Sequence, residues 1–248
     1  MTVRIHTASE RPDLWERSQE EVRDVWPEYQ LHGDVLNVYW GRLWEDFLDF
    51  QLAVHDDERD LTIAQAHTIP FAWDGSVESL PAGIDGLMED AFRLLEEGGR
   101  ANALSALAIE VTPSEQRRGL SGELVEAMRG LAARHELGGL VAPLRPTWKE
   151  RYPLTPIERY AAWTRDDGLP FDPWIRLHVR LGAEILAPEP ESLRITGTVA
   201  EWEAWTEMAF PESGTYVFPF GLAPLEVDRE ADLGAYWEPN VWVLHGVG

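Results

Sequence analysis

Apolar positions recur at helical spacing behind Pro12 and Asp13. Leu14, Ser18, Val22 and Val25 share one face, and Pro27 closes the segment. A second helix is expected after Gly33, where Val35, Leu36, Tyr39, Trp40, Leu43, Phe47 and Leu48 keep the same period. The pattern then changes to two strand-like runs, FQLAV and LTIAQAHTI, split by the charged turn HDDERD. Period-2 alternation through Leu61, Ile63, Gln65, His67 and Ile69 predicts an antiparallel hairpin whose pairing ends at Pro70. GIDGLMEDAFRLLEEGG predicts an amphipathic helix with a Gly-Gly stop, and ALSALAIEV (103–111) a central strand. Leu120, Leu124, Val125, Met128, Leu131 and Ala132 mark a helix to about His135, followed by the buried strand GGLVAPL. Residues 145–172, rich in Pro, Arg and aromatics, read as a long insertion. Beyond it come a helix stopping at Gly182, a strand near SLRITG, a capping box from Thr198 to Glu201 and a strand near TYVFPF. EWEAWTEM is expected in the core. With no repeats and no linker, the order predicts one mixed α/β domain over 1–248.

Composition narrows the class. With 44% hydrophobic residues, 12 of the 248 being Trp, there is ample core. The absence of Cys excludes disulfides, thiolate metal sites and a cysteine nucleophile. No stretch has signal-peptide or membrane-spanning character, so a soluble cytoplasmic protein without membrane partners is expected. A formal charge of −23 opposes nucleic acid and favours cationic small molecules.

Against that acidity, PSEQRRGLSGEL (113–124) places Arg117 and Arg118 beside two glycines, between a strand and a helix. A solvated turn and a salt-bridge patch are open readings. A third is an anion cradle, since the first N–H groups of a helix lack intrahelical partners and carry the positive end of its dipole. Gly119 lets a ligand approach the backbone, and the arginines can add charge-assisted bonds.

The run VTPSEQRRGLSGELVEAM resembles the coenzyme-A-binding motif of the Gcn5-related N-acetyltransferase (GNAT) superfamily. Val111, Pro113, Gln116 and Gly119 match it, and Ser121 stands where Gly or Ala is usual. WIRLHVRLGAEIL is similar to a later family motif, with His178 in place of its tyrosine and Ala183 in place of its phenylalanine. The resemblance implies a mostly antiparallel central sheet flanked by helices, with the insertion before the penultimate helix. It also implies acyl transfer from acetyl-CoA, or another acyl-CoA, to an amine, with no metal. Pantetheine would pair with the backbone of Ile109, Glu110 and Val111. The pyrophosphate would take N–H bonds from Gln116, Arg117, Arg118, Gly119, Leu120, Ser121 and Gly122.

Direct attack needs a base for the amine and a group that steadies the departing thiolate. Glu110 is the candidate base, expected to have a raised pKa; the alternative is a structural partner for an arginine. His67 is an alternative base or a structural strand histidine. His178 is the candidate acid, as an imidazolium, or else a core histidine satisfied by a backbone carbonyl. In the insertion, Trp148, Tyr152 and Tyr160 form an acceptor wall or, alternatively, close the core. The partner is a small-molecule amine, possibly cationic, and a homo-oligomer is possible. Two further readings are transfer of a larger acyl or aminoacyl group from CoA or a carrier, and a non-catalytic CoA-binding scaffold.

Overall fold

The computed structural model describes residues 3–22 and 25–247. Arg23 and Asp24, inside the expected first helix, lie outside the described residues, as do the terminal Met1, Thr2 and Gly248. The chain runs β1 (Val3–Thr7), α1 (Pro12–Glu21), α2 (Leu36–Trp40), α3 (Leu43–Asp46), β2 (Gln51–Asp56), β3 (Leu61–Phe71) and α4 (Gly83–Glu96). It continues through β4 (Ala103–Val111), α5 (Leu120–Arg134), β5 (Gly139–Leu144), α6 (Ile157–Ala161) and α7 (Pro173–Arg180). The last part is β6 (Glu184–Gly197), α8 (Val199–Thr206), β7 (Gly214–Tyr216), β8 (Leu225–Asp228) and β9 (Leu233–Gly246).

The strands form one mixed sheet in the order β1-β2-β3-β4-β5-β9-β8-β7, with β6 on β9. Only β4 and β5 pair in parallel, and they do so over two residues, Leu104 against Leu140 and Ser105 against Val141. From Ala106 onward β4 follows β3, while β5 follows β9 through Leu144 and Val241. The two central strands therefore splay. A register shift opposite His67 and Thr68 leaves Leu107 as an extra residue in β4, a bulge at the mouth of the gap.

Helices cover both faces. On one, α5 buries Leu124, Val125, Met128 and Leu131 with Leu104, Leu140 and Val243 of the sheet. On the other, Leu87, Met88 and Phe92 of α4 pack with Phe71, Val141 and Trp242. The capping box at α8 forms as expected: Thr198 accepts from the Glu201 N–H, and Glu201 accepts from the Thr198 N–H.

Three expectations change. The helix after Gly33 is broken: the chain turns at Gly41 and Arg42, so Trp40 and Trp44 both pack their rings on His67. Pro70 does not end pairing, since Pro70 still faces Leu104 and Phe71 faces Ala103. β2 leaves β3 at His67, so beyond it one edge of β3 needs no N–H donor, and proline is tolerated there. TYVFPF contributes only its first residues to a strand; the chain then turns, with Phe220 at φ 64°.

Candidate active site

The splay opens a cavity of about 450 Å³. Its walls bring together Leu107, Ala108, Ile109 and Glu110 of β4, Ser121 and Met128 of α5, Ala142 to Leu144 of β5, and Trp174 and His178 of α7. Trp26, Gln30, Leu36, Asn37 and Trp40 close it from the N-terminal segment, and Arg145, Glu238 and Asn240 from the far end. A smaller cavity of about 300 Å³ adjoins it and shares Trp26, Leu31, Trp40 and Glu110.

At the start of α5 the geometry is that of an anion cradle. Gly119 is the N-cap, at φ 88°, which glycine reaches without strain. The N–H groups of Arg117, Gly119, Leu120 and Ser121 have no acceptor among the described residues. Arg117 is exposed, also with positive φ. Arg118, by contrast, pairs with the buried Glu115, which also takes a 2.8 Å bond from Arg59. The salt-bridge patch therefore forms, and it leaves the turn's backbone N–H groups open.

Glu110 is 7% exposed and lies between three donors. Oε1 accepts from Trp26 Nε1 at 2.5 Å, Oε2 accepts from Gln65 Nε2, and His67 Nε2 is 3.5 Å from Oε2. Burial alone would push its pKa up. The bond and charge of His67, with the bonds from Gln65 and Trp26, outweigh this and hold it below the ordinary value. The expected raised pKa is corrected, and Glu110's hydrogen-bond partners are these three side chains and no arginine. The orientation of His67 is fixed from behind. Gln51 Nε2 donates to the Phe47 and Thr68 carbonyls, so its oxygen faces His67 Nδ1 at 3.3 Å and that nitrogen must donate.

His178 is 1% exposed and pairs with His245: Nδ1 of one lies 2.8 Å from Nε2 of the other. Burial, then the neighbouring ring, lowers its pKa to about 3. Burial thus favours the neutral ring over the expected imidazolium, and the expected backbone carbonyl is replaced by a second histidine.

The insertion reaches the cavity at its start, through Arg145 and Thr147, but its aromatics stand apart. Trp148, Tyr152 and Tyr160 line neither cavity. Tyr152, Tyr160, Trp163 and Phe171 pack on one another at centroid distances of 5.0–6.3 Å. Tyr160 donates to Asp172 at 2.9 Å, and Asp172 caps α7. The only lysine, Lys149, is buried there and donates to the Tyr152 and Leu222 carbonyls.

No family model matches the chain. It is 28% identical, over 98% of its length and 93% of the relative's, to arginine N-acetyltransferase avaD of Aspergillus versicolor. Its fold matches the loading GNATL domain of CurA from Lyngbya majuscula with a TM-score of 0.60 at 15% identity, over 100% of this chain and 98% of that one. A GNAT-like decarboxylase, GphF, solved with isobutyryl-CoA, matches over the whole of both chains with a TM-score of 0.57, also at 15% identity. The chain has a GNAT-like fold.

Within that fold, Ser121 of the motif turn, Glu110 and His178 line one cavity, whereas Gln116 to Leu120 and Gly122 do not. Val111 is buried and does not line it, whereas Ile109 and Glu110 do. Sequence reasoning missed Trp26, Trp40, Arg145, Glu238, Asn240 and His245. Glu238, Asn240 and His245 had a visible signal: polar residues inside the apolar run YWEPNVWVLHG. Arg145 is held by Glu238 at 3.1 Å and donates to Tyr29 at 2.9 Å. Among the described residues, no group of three or more His, Asp or Glu could hold a metal ion, and no helix is long and apolar enough to cross a membrane.

Proposed function

We propose that the protein transfers an acyl group, acetyl in the simplest case, from acyl-CoA to the amine of a small molecule by direct attack. The observation that carries this is the splay between β4 and β5. It joins an open run of backbone N–H groups at the start of α5 to a cavity lined by both Glu110 and His178. The pyrophosphate is bound at residues 116–122, with helix-terminal N–H groups supplying most of the attraction. Pantetheine runs along the unpaired edge of β4 toward Glu110.

The amine reaches the thioester from the Trp26 and Trp40 side, where the smaller cavity meets Glu110. Relatedness to an arginine N-acetyltransferase supports an amine-bearing, cationic acceptor, and the carboxylate with its aromatic neighbours suits one. As nitrogen attacks, its N–H becomes strongly acidic, so even a carboxylate with a lowered pKa accepts the proton; His67 steadies that carboxylate. The C–S bond breaks and its electron pair leaves on sulfur.

Thiol release from acetyl-CoA is to be measured across an amine panel that includes arginine, alongside calorimetry of CoA with wild type and Gly119→Glu. Substitution at φ 88° strains the turn, and the carboxylate repels pyrophosphate. Loss of CoA binding with the fold retained is expected. Wild-type affinity in that variant would remove the cradle, and CoA binding without turnover on any amine would favour the scaffold.

A further inference from the structure

The chain carries a formal charge of −23, and the walls of the two cavities follow suit with Glu28, Glu110 and Glu238. Against them stands one permanent cation. Arg145 is the sole lysine or arginine among the described residues that line either cavity. A guanidinium in the wall of a site for a cationic amine works against binding unless the acceptor brings a group that answers it.

Strand alternation places this arginine. Val111, Leu144 and Val241 pack in the cluster with α5, so Glu110, Arg145 and Glu238 turn to the opposite face. Glu110 and Arg145 therefore stand on the same side of the splay, one near the end of β4 and one just past the end of β5. The guanidinium is fixed there but only partly used. Nε donates to both oxygens of Glu238 at 3.1 Å, and Nη2 donates to Tyr29 at 2.9 Å and to the Phe220 carbonyl at 2.7 Å. Nη1 has no acceptor among the described residues and is not buried. Glu238, only 2% exposed, takes bonds from Gln30 and Tyr236 as well as from Arg145. It steadies the Nε edge and leaves the Nη1 edge free. A side chain already ordered by four bonds can present its last donor with little further loss of freedom.

We propose that Arg145 is a specificity-determining residue that binds the carboxylate of the acceptor, so that the substrate class is amino acids and not simple amines. This rests on the acyltransferase reading. The reacting nitrogen lies at Glu110, and the carboxylate accepts from Arg145 Nη1 across the gap, in a charge-assisted bond. One molecule thereby answers both the carboxylate and the guanidinium of the site.

The test compares amino acids with their decarboxylated amines: L-arginine with agmatine, L-lysine with cadaverine, and L-tryptophan with tryptamine. Thiol release from acetyl-CoA gives the KM of each, and calorimetry in the presence of CoA gives binding without turnover. In the pair that wild type uses best, the amino acid should have a KM lower by about 10- to 100-fold, the span of one hydrogen bond to a charged group. Equal values, or a preference for the decarboxylated amine, would overturn the proposal and leave the acyltransferase reading standing. Arg145→Lys keeps a charge for Glu238 but lacks Nη1. It should raise the amino-acid KM by about 10-fold or more, with the KM of the decarboxylated amine and the affinity for CoA within about twofold. Equal rises for both amines would make Arg145 a structural residue only. If that variant fails to fold, Arg145→Met combined with Glu238→Gln leaves no buried charge unpaired and should show the same selective loss. Binding that needs the carboxylate, without transfer to any amine, would sink the acyltransferase reading but not the subsite. No difference in binding within any pair would sink the subsite.

Discussion

The two adjoining cavities hold the same residue type in opposite electrical settings. In one, His67 faces Glu110, which also takes bonds from Gln65 and Trp26, and the assembly keeps a buried carboxylate ionised. In the other, His178 faces a second histidine, and burial favours the neutral ring. The partner, and not the imidazole, sets the job. The first holds a fixed negative charge. The second holds a buried, uncharged ring.

The comparison breaks hardest at Glu110. Glu110→Gln should lower kcat by on the order of 10²- to 10³-fold, within the range for a general base, and leave CoA affinity by calorimetry unchanged. Loss of CoA binding in step with kcat would place Glu110 in cofactor binding instead.

A smaller loss, on the order of 10²-fold in kcat, is expected for His178→Phe, the low end for removing one well-placed donor. His178→Tyr should recover part of it, because a phenol can donate without charge. Full activity in a stably folded His178→Phe protein would take the residue out of the reaction.

The neutral pair also leaves a signature in stability. His178 is lowered to about 3 and His245 to about 4, mainly by burial, while unfolded histidine titrates near 6.5. Between those values the unfolded chain binds more protons than the folded one, so stability falls as pH drops from about 6.5 toward 3. Arg129 adds to the shift of His245, Glu126 opposes it, and Glu110 contributes only at the acid end. Chemical denaturation at stepped pH should show a shallower fall for a His178→Leu, His245→Leu double variant. An identical slope would mean these rings are not held neutral.

The smallest effect is expected outside the cavity. Tyr160→Phe removes one bond to Asp172 and should cost about 1–3 kcal/mol, a melting shift of several degrees, with acceptor KM and kcat unchanged. A selective rise in acceptor KM would return the insertion to the site.

The motif half of the site was legible in the sequence because its function is local. A strand, a glycine turn at positive φ and a helix start follow one another within 20 residues, and the features that suit an anion are backbone N–H groups. The hairpin, the capping box and the meeting of Glu110 with His178 followed from period and resemblance. The state of each side chain did not. Glu110 was expected to have a raised pKa because burial was visible in its apolar strand, but Trp26, Gln65 and His67 arrive from three other segments. His178 was read as an acid because imidazole ordinarily titrates near neutrality. Its partner lies 67 residues away, on a strand that no local pattern predicted. The aromatics of 145–172 were legible as aromatics; which way they face was decided by Asp172 and by one another. Sequence period fixes which residues share a face. Charge state depends on what a fold brings within a few ångströms, and those contacts here are nearly all between distant segments.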